Sequence, residues 1–428
     1  MLLPLPLPPS PDRPRMPHPE PLPSHCRVAI VHDQLYTMGG AEQVLKEILA
    51  CFPQADLFVL FDILPEADRG FLAGRRIVTS GIQRFPWLRR FHRHYFPFMP
   101  LQIEQLDLKG YDVVISSSYL VAKGVVVGPD QFHLCYIHSP MRYAWDMQFD
   151  YLREMGMERG LGSFVLRRLF HRLRIWDART AAGVDRFVAN SHYIARRVLK
   201  TYRREATVIY PPVDVERLTR GVEPVPRERF FLTVTRLVPY KRVDLIVRAF
   251  ADLPDERLVV IGDGPQRRQL EALAGPNVTI MGRQSDAVVR DHFHRAEAFV
   301  YAAEEDFGIV PVEAQACGTP VIAYGRGGAC ETVRSGDDAA ATGLFFDAQT
   351  PTAVAAAVRR YRARPQPFGE DACRRQAAAF DAARFRQEIL AEVAAAHAEF
   401  RRTAWPCPPE EEPVSAESPR SRASAMNQ

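Results

Sequence analysis

The sequence lacks several features that would indicate particular classes of protein. None of its seven cysteines forms a Cys-x-x-Cys pair, so neither a disulfide framework nor a zinc site is indicated. No run of 18 apolar residues occurs, and we expect no membrane-spanning helix. The net charge of +4 over 428 residues does not by itself favour nucleic acid as a partner. We expect a protein of the reducing cytoplasm, in which Cys317 and Cys330 are small packing residues.

The two ends of the chain do not have the composition of a folded core. Residues 1–24 are rich in proline and lack the basic start and apolar centre of a signal peptide. We predict that this stretch is disordered, with Met16 as an alternative start to Met1. Residues 403–428 are rich in Pro, Glu and Ser, and we predict a disordered tail.

Apolar runs alternate with helical patterns from residue 25 to residue 215. The first predicted strand covers residues 26–33, and a loop with Gly39 and Gly40 follows it. A helix should come next, since apolar residues then recur with helical spacing at Ala41, Val44, Leu45, Ile48 and Leu49. Strand, glycine loop and helix form the first unit of a doubly wound domain. Further strands are predicted at residues 56–61, 76–79, 113–116, 124–127, 133–137 and 186–190.

A second series of the same kind is predicted over residues 228–384, after a linker at residues 216–227. Its strands are expected at residues 230–235, 258–261, 278–281, 298–301, 320–323 and 344–346. The fold class is therefore α/β, with two doubly wound, Rossmann-like domains that face a cleft. In such sheets ligands bind beyond the carboxyl ends of the strands.

The stretch that follows the strand at 298–301 has the features of an anion site. Pro311 is tolerated at the start of a helix, so the amides of Gly308, Ile309 and Val310 would be free donors for a phosphate. Glu305 and Glu313 flank these donors. Carboxylates do not bind phosphate but do accept hydrogen bonds from sugar hydroxyls, which indicates a nucleotide-sugar site. The alternative is structural. Glu313 could stand in the first turn because the helix dipole stabilises an acidic residue there, and Glu305 could only cap a loop.

Cations follow the first strand of the second domain. Arg236 and Lys241 could neutralise a diphosphate that leaves during a reaction, or they could be solvated surface charges. Gly262 and Gly264 form a turn that is weaker as a signal than a full dinucleotide motif.

Four further residues in the first domain are candidates. Gly39 and Gly40 would let the backbone approach a ligand closely, unless they form a plain turn. His138 ends an apolar strand and could be either a site residue or a structural histidine. Arg142 follows it and is a candidate for binding an acceptor.

Together these motifs resemble the retaining glycosyltransferases of family 4, which have the GT-B fold. The resemblance spans about residues 28–401, and its strongest element is the E-x7-E pattern from Glu305 to Glu313, followed by residues 316–323. Residues 138–146 and 210–214 are similar to a bacterial subgroup that includes O-antigen and exopolysaccharide mannosyltransferases. Pro311 departs from the family, where many members carry another apolar residue.

The resemblance implies a role for each candidate. Glu313 would bind the ribose and Glu305 the donor hexose, while Gly40 would donate its amide to the diphosphate. His138 would line the sugar site near the transferred carbon. The remaining implied site residues are Arg236 and Lys241 at the diphosphate, and Gly39, Gly262, Gly264, Phe307, Gly308, Ile309 and Val310 at the donor.

The resemblance also implies a reaction. A hexose, with mannose favoured, would move from GDP-mannose or a UDP-hexose to a lipid-linked or polysaccharide acceptor of lipopolysaccharide O-antigen or exopolysaccharide biosynthesis. The acceptor would attack from the leaving-group face with retention of configuration, and a donor phosphate oxygen would take its proton. No metal or other cofactor is expected, and a helix over residues 385–402 would cross back to the first domain.

Two other classes of function stay open at this point. A nucleotide-sugar epimerase of similar architecture would turn over its substrate without an acceptor. A non-catalytic nucleotide-sugar or polysaccharide-binding protein would tend to lose one of Arg236, Lys241 or Glu313.

Arginines interleave with aromatic and aliphatic residues in two segments of the first domain, residues 83–100 and 164–174. This pattern is typical of contact with an anionic lipid surface, and we expect peripheral association with the cytoplasmic face of the inner membrane. The alternative is that these segments are amphipathic helices with solvated arginines. No nucleic-acid motif accompanies the cations.

Overall fold

Two parallel β-sheets form the framework of the protein, whose computed structural model describes residues 22–220 and 225–403. The two tracts predicted to be disordered lie almost entirely outside the described residues, and so does part of the predicted linker. The strands are short apolar runs, and those at the centres of the sheets are buried on both faces, as parallel strands between helical layers must be.

The first sheet has seven parallel strands in the order β3-β2-β1-β4-β5-β6-β7. Their bounds are β1 Val28–His32, β2 Asp56–Val59, β3 Ile77–Thr79, β4 Val113–Ser118, β5 Phe132–Ile137, β6 Arg186–Ala189 and β7 Thr207–Val208. The helices of this half are α1 Gly40–Cys51, α2 Leu88–Phe91, α3 Met99–Ile103, α4 Gln148–Glu154, α5 Leu161–Thr180 and α6 His192–Tyr202. Helix α1 buries Val44, Leu45, Ile48 and Leu49, the face predicted from their spacing.

The second sheet has six parallel strands in the order β10-β9-β8-β11-β12-β13. Their bounds are β8 Glu228–Val234, β9 Leu258–Ile261, β10 Val278–Gly282, β11 Ala296–Tyr301, β12 Val321–Tyr324 and β13 Gly343–Phe346. The helices of this half are α7 Val215–Thr219, α8 Val243–Ala251, α9 Arg267–Leu273, α10 Asp286–Arg295, α11 Ile309–Ala316, α12 Ala329–Thr332, α13 Pro351–Arg362 and α14 Glu370–Ala378.

Each sheet has one point at which the order of its strands reverses. In the first sheet this point lies between β1 and β4, and in the second it lies between β8 and β11. The crevice beyond the carboxyl ends of two such strands is the usual ligand site of a doubly wound fold. The loops after β1, β8 and β11 are the ones that carry Gly39 and Gly40, Arg236 and Lys241, and Glu305.

The last helix, α15 Ala382–Thr403, follows the second domain but packs into the core of the first. Phe385, Ile389 and Val393 are fully buried in the same apolar cluster as β1 and α1. The phenol of Tyr136 on β5 lies in this cluster, with its ring 5.8 Å from that of Phe385. Helix α15 therefore joins the two domains a second time.

Three local predictions differ from the structure. Residues 124–127 are not a strand: Ala122–Gly124 is a 3-10 turn, and a Cβ on Gly124 would meet the Trp176 ring at 2.4 Å. The segment predicted as a linker begins inside a helix, α7. The helix predicted to open at Pro311 begins at Ile309, and Pro311 is accepted in its first turn because the N–H that proline lacks would have no partner there.

Candidate functional site

The loop between β11 and α11 packs against a second loop that contains Gly328. Gly308 has a φ of +84°, a conformation that glycine adopts readily, and it caps the start of α11. The Gly328 amide donates to the carbonyl of Glu305 at 2.8 Å. A Cβ on Gly328 would lie 2.3 Å from the Cα of Phe307. A side chain at position 328 would therefore displace the loop that carries Glu305.

Glu305 is enclosed and has two direct donors. The Lys241 ammonium donates to Oε1, and the Tyr301 hydroxyl donates to Oε2. Burial alone would raise the pKa of Glu305, but the Lys241 charge and these two hydrogen bonds lower it below its usual range. Burial and the neighbouring carboxylate in turn hold the pKa of Tyr301 well above that of a free phenol. Glu305 is therefore an anion beside a cation and a neutral donor.

Arg236 lies on the same loop as Lys241 and is exposed. Two glycines of the next strand-exit loop support this segment. A Cβ on Gly262 would lie 1.8 Å from the carbonyl oxygen of Thr235, and one on Gly264 would lie 2.4 Å from that of Leu237. Gly262 and Gly264, which we predicted at the donor, are thus placed where they let two loops pack backbone against backbone.

The first turns of two helices, one from each domain, meet across the cleft. Gly39 caps α1, and Gly40 is its first residue. A Cβ on Gly40 would lie 3.0 Å from Cδ1 of Ile309, the first residue of α11. Because the first amides of a helix have no intrahelical acceptor and carry its positive dipole end, donors from both domains converge where Gly40 meets Ile309, four residues after Glu305. Ile309 and Val310 are half-buried there.

His138 lies just beyond β5, next to the predicted sugar side of the cleft. It is 8% exposed, its Nε2 is 2.9 Å from the Ser117 hydroxyl, and its ring contacts Tyr119 and Tyr136. Burial, with His32 nearby, lowers the pKa of His138 to about 3. The imidazole is therefore neutral at physiological pH.

Two other predicted donor residues have partners within the second domain. Glu313 faces Arg217 of α7, with Oε1 and Nη2 3.7 Å apart. Burial, helped by Asp286 and opposed by Arg217, raises the pKa of Glu313. Phe307 is buried and packs its ring against Tyr210 and Phe380, so the structure places it in the core and not on the surface of the cleft.

Asp306 joins the two domains through an ion-pair cluster that the sequence did not predict. Its Oδ1 is 3.2 Å from Arg142 and 3.0 Å from Arg197, both in the first domain. Burial raises the pKa of Asp306, although the two guanidinium groups act in the opposite direction. Arg142, predicted to bind an acceptor, is engaged in this contact.

A second contact between the domains involves Glu331. Its two carboxylate oxygens accept the backbone amides of His192 and Tyr193, each at 2.8 Å. These are the first two residues of α6, so a carboxylate of one domain caps a helix of the other. The Tyr193 hydroxyl also donates to Glu304 at 3.1 Å. A sequence signal for this contact is the position of Ser191 two residues after β6, at the edge of the sheet where strand-exit loops meet.

A polar cavity of about 530 Å³ opens beside these contacts. Residues of both domains line it, among them Arg142 and Tyr193 from the first and Tyr240, Arg242 and Glu304 from the second. Within residues 22–220 and 225–403, no three His, Cys, Asp or Glu side chains are grouped to hold a metal ion. None of the helices in those ranges is both long enough and apolar enough to cross a membrane.

Comparisons with known proteins agree with this arrangement. Residues 38–217 match the family model described as Glycosyltransferase Family 4, and residues 214–368 match the model described as Glycosyl transferases group 1. Together the two models cover more than half of the chain. The chain therefore contains two domains, each of which matches a glycosyltransferase family.

Two curated relatives of this glycosyltransferase are D-inositol 3-phosphate glycosyltransferases. The protein of Geodermatophilus obscurus is 34% identical over 256 residues, which cover 53% of this chain and 56% of the relative. That of Mycobacterium sp. strain JLS is 34% identical over 186 residues, which cover 38% of this chain and 41% of the relative. The chain therefore spans about half the length of the curated relatives it matches.

A solved structure is similar over nearly the whole fold. The structure of Anabaena Alr3699/HepE in complex with UDP has 17% sequence identity and a TM-score of 0.62, and the match covers 86% of this chain and 100% of that chain. At this level of identity the likeness shows the fold. It confirms that this glycosyltransferase has the predicted GT-B architecture.

Replacement of Lys241 tests whether the converging donors bind a diphosphate. Lys241→Ala should weaken the binding of UDP or GDP by about tenfold to a hundredfold, because a charge-assisted hydrogen bond contributes roughly 1.5–3 kcal/mol. Isothermal titration calorimetry measures the change. Arg248→Ala, which removes an exposed cation of α8, is the matched control and should leave Kd unchanged. Equal affinity of the Lys241 variant and the wild type would remove Lys241 from the diphosphate site.

Proposed function

We propose that this protein is a retaining hexosyltransferase that takes its sugar from a nucleotide diphosphate sugar. The observation that carries the proposal is the meeting of two helix N-termini, at Gly40 and Ile309, beside Lys241 and Glu305. Backbone amides and a lysine suit a diphosphate. The half-buried carboxylate of Glu305, held as an anion, suits the hydroxyls of a sugar. Both are placed at the crevice that the strand order of each sheet defines.

Charge decides how such a site would assist transfer. As the glycosidic bond breaks, negative charge grows on the departing diphosphate, and preorganised donors stabilise it. Lys241 has three N–H donors, of which one engages Glu305, so the others are free to meet phosphate oxygens. Exposed Arg236 can approach the same group as a bidentate donor. In this proposal these residues lower the barrier by stabilising the leaving group.

The two glutamates would divide the rest of the donor. Glu305 lies next to the converging donors and would accept hydrogen bonds from the hexose. Glu313 lies one helical turn further along α11 and would accept them from the ribose. Arg217 opposes the rise in the pKa of Glu313 that burial causes, so it would favour the ionised form that accepts hydrogen bonds. His138, neutral and at the end of β5, would line the sugar on the side of the first domain.

We also propose an identity for the transferred sugar and for the acceptor. We favour mannose from GDP-mannose, with a UDP-hexose as the alternative, because residues 138–146 are similar to bacterial mannosyltransferases of surface polysaccharides. Alr3699/HepE binds UDP, which supports the alternative. The acceptor would be a lipid-linked or polysaccharide chain of O-antigen or exopolysaccharide biosynthesis. The names of the relatives make an inositol phosphate a second candidate acceptor.

Binding of a panel of nucleotide sugars tests the proposal. A thermal-shift assay compares the change in Tm caused by GDP-mannose, UDP-glucose, UDP-galactose and UDP-N-acetylglucosamine. The true donor should raise Tm by a few degrees, since a ligand at about 100 times its Kd adds roughly 2.7 kcal/mol of stability. Glu313→Ala should abolish most of that shift. Glu271→Ala, an exposed acid of α9, should retain it. A panel in which no compound raises Tm would contradict the proposal.

Product analysis separates transfer from the two other classes of function. With the donor alone, an epimerase would convert the sugar while it stays attached to the nucleotide. A non-catalytic binding protein would leave the donor intact even when acceptors are supplied. A transferase should release the nucleoside diphosphate in proportion to the acceptor that it glycosylates.

We further propose that the first domain associates with an anionic membrane surface. Trp87 and Phe98 are 75% and 52% exposed, and Arg89, Arg90 and Arg93 are exposed around them. Helix α5 adjoins this segment and exposes Leu161, Phe164 and Val165. Phe170 and Leu173, which the sequence pattern also placed at a lipid surface, are buried in the core and do not contribute. Exposed aromatics with interleaved cations match the chemistry of a lipid interface.

Flotation with liposomes measures this association. The wild type should float with vesicles that contain phosphatidylglycerol and should stay in solution with pure phosphatidylcholine vesicles. Replacing Arg89, Arg90 and Arg93 by Glu should prevent flotation, since each basic residue contributes about 1 kcal/mol near an anionic surface. Replacing Arg248, Arg268 and Arg375 of the second domain by Glu makes the same change in net charge and should not. Persistent flotation of the first variant would refute the membrane proposal.

A further inference from the structure

A buried hydroxyl at the end of β4 connects two histidines. The Ser117 hydroxyl is 3.1 Å from Nδ1 of His32 on β1 and 2.9 Å from Nε2 of His138 beyond β5. His32 and Ser117 are 0% exposed. Strand β4 lies between β1 and β5, with His32 directly opposite Ser117, so the strand order of the sheet brings the three side chains together. The Ser117 network denotes these three residues and Glu42, described next.

Glu42 of α1 completes the network on its far side. Its Oε1 lies 3.7 Å from Nε2 of His32, a ring nitrogen that is buried and has no hydrogen-bond partner. Glu42 is 4% exposed and stands in the first turn of α1, where the helix dipole favours a negative charge. Its other carboxylate oxygen would be 3.0 Å from a Cβ on Gly39. The network therefore runs from the glycine loop to His138.

A single hydroxyl proton restricts how these groups can be arranged. Ser117 donates to one histidine and accepts from the other, so the two rings have linked tautomers. If His32 carried its proton on Nδ1, a bare lone pair on Nε2 would face the Glu42 carboxylate. A proton on Nε2 of His32 removes that repulsion. His32 Nδ1 then accepts from Ser117, and Ser117 accepts from Nε2–H of His138.

This arrangement leaves Nδ1 of His138 without a proton. We propose that the Ser117 network is a positioning device for the transfer reaction, in which Ser117, His32 and Glu42 hold His138 as its Nε2–H tautomer so that Nδ1 accepts a hydrogen bond from a sugar hydroxyl of the donor. The inference rests on the proposed function. It identifies Ser117 and His32 as positioning residues and not as catalytic ones. The low pKa of His138, about 3, is consistent with an imidazole that stays neutral and can accept.

The same strand offers a matched control. Ser116 precedes Ser117 on β4, is equally buried, and its hydroxyl is 2.8 Å from Nε2 of His133. Because successive side chains of a strand point to opposite faces, Ser116 belongs to the other side of the sheet. Ser116→Ala therefore removes one buried serine–histidine hydrogen bond from this strand, and Ser117→Ala removes two. Only Ser117→Ala removes a hydrogen bond to His138.

Kinetics of the two variants separate positioning from stability. With the nucleotide sugar that gives the largest thermal shift, Ser117→Ala should lower kcat about tenfold while the KM for the donor changes less than about threefold. Ser117→Thr, which keeps a hydroxyl, should recover most of the loss. Ser116→Ala should also lower Tm, by less than Ser117→Ala because it removes one hydrogen bond and not two, but it should keep a kcat close to that of the wild type. Equal losses of kcat in Ser116→Ala and Ser117→Ala would overturn the positioning role.

A spectroscopic measurement decides the tautomer without reliance on turnover. In the full chain with ¹⁵N-labelled histidine, His138, assigned by its absence in His138→Gln, should show a protonated Nε2 and an unprotonated Nδ1. Ser117→Ala should lose this preference, and Ser116→Ala should keep it. The donor sugar nucleotide, but not UDP or GDP alone, should shift the Nδ1 signal. A proton on Nδ1 in the wild type would overturn the inference, whereas a chain with the predicted tautomer and no transferase activity would contradict only the proposed function.

Discussion

The pairing of Lys241 with Glu305 is the interaction on which the candidate site depends. A buried carboxylate without a partner costs several kcal/mol and takes up a proton instead. Lys241 and Tyr301 offset that cost for Glu305, so an anion that could accept hydrogen bonds from hydroxyls persists beside groups that we propose bind phosphate. The pair also fixes the β8–α8 loop against the β11–α11 loop, at the point where the strand order of the second sheet reverses. Replacement of either residue would therefore alter both the charge and the shape of the site.

The second constraint is that several loops pack too closely to leave room for a Cβ atom, and each of these contacts is made by a glycine. Gly328 supports the Glu305 loop, Gly262 supports the loop of Arg236, and Gly40 brings the first turn of α1 to Ile309. The domains are then joined by carboxylates of the second that engage cations and amides of the first, through Asp306 and Glu331. These contacts surround the converging donors, so the position of one domain against the other determines whether both helix N-termini face the same ligand.

The elements of the fold could be predicted from periodicity because long, regular apolar patterns dominate both sheets. Local exceptions could not: residues 124–127 have the composition of a strand, but Gly124 packs under Trp176 and ends any pairing there. Residues 305–313 and the cations at 236 and 241 were predicted to act together because strand-exit loops meet at one edge of a parallel sheet. The burial of the Phe307 side chain could not be predicted, because adjacency in sequence does not tell which face of a loop is solvated. Asp306, Arg197 and Glu331 were missed because their contacts join residues of different domains. The Ser117 network was missed because its central contact joins His32 and Ser117, which are 85 positions apart.

The most direct test of this account is a crystal structure with the donor nucleotide sugar bound. The account predicts that the diphosphate lies within hydrogen-bonding distance of Lys241 Nζ and of the first amides of α1 and α11, with the hexose against Glu305 and His138 and the ribose against Glu313. A diphosphate bound elsewhere, with Lys241 still engaged only by Glu305, would contradict it.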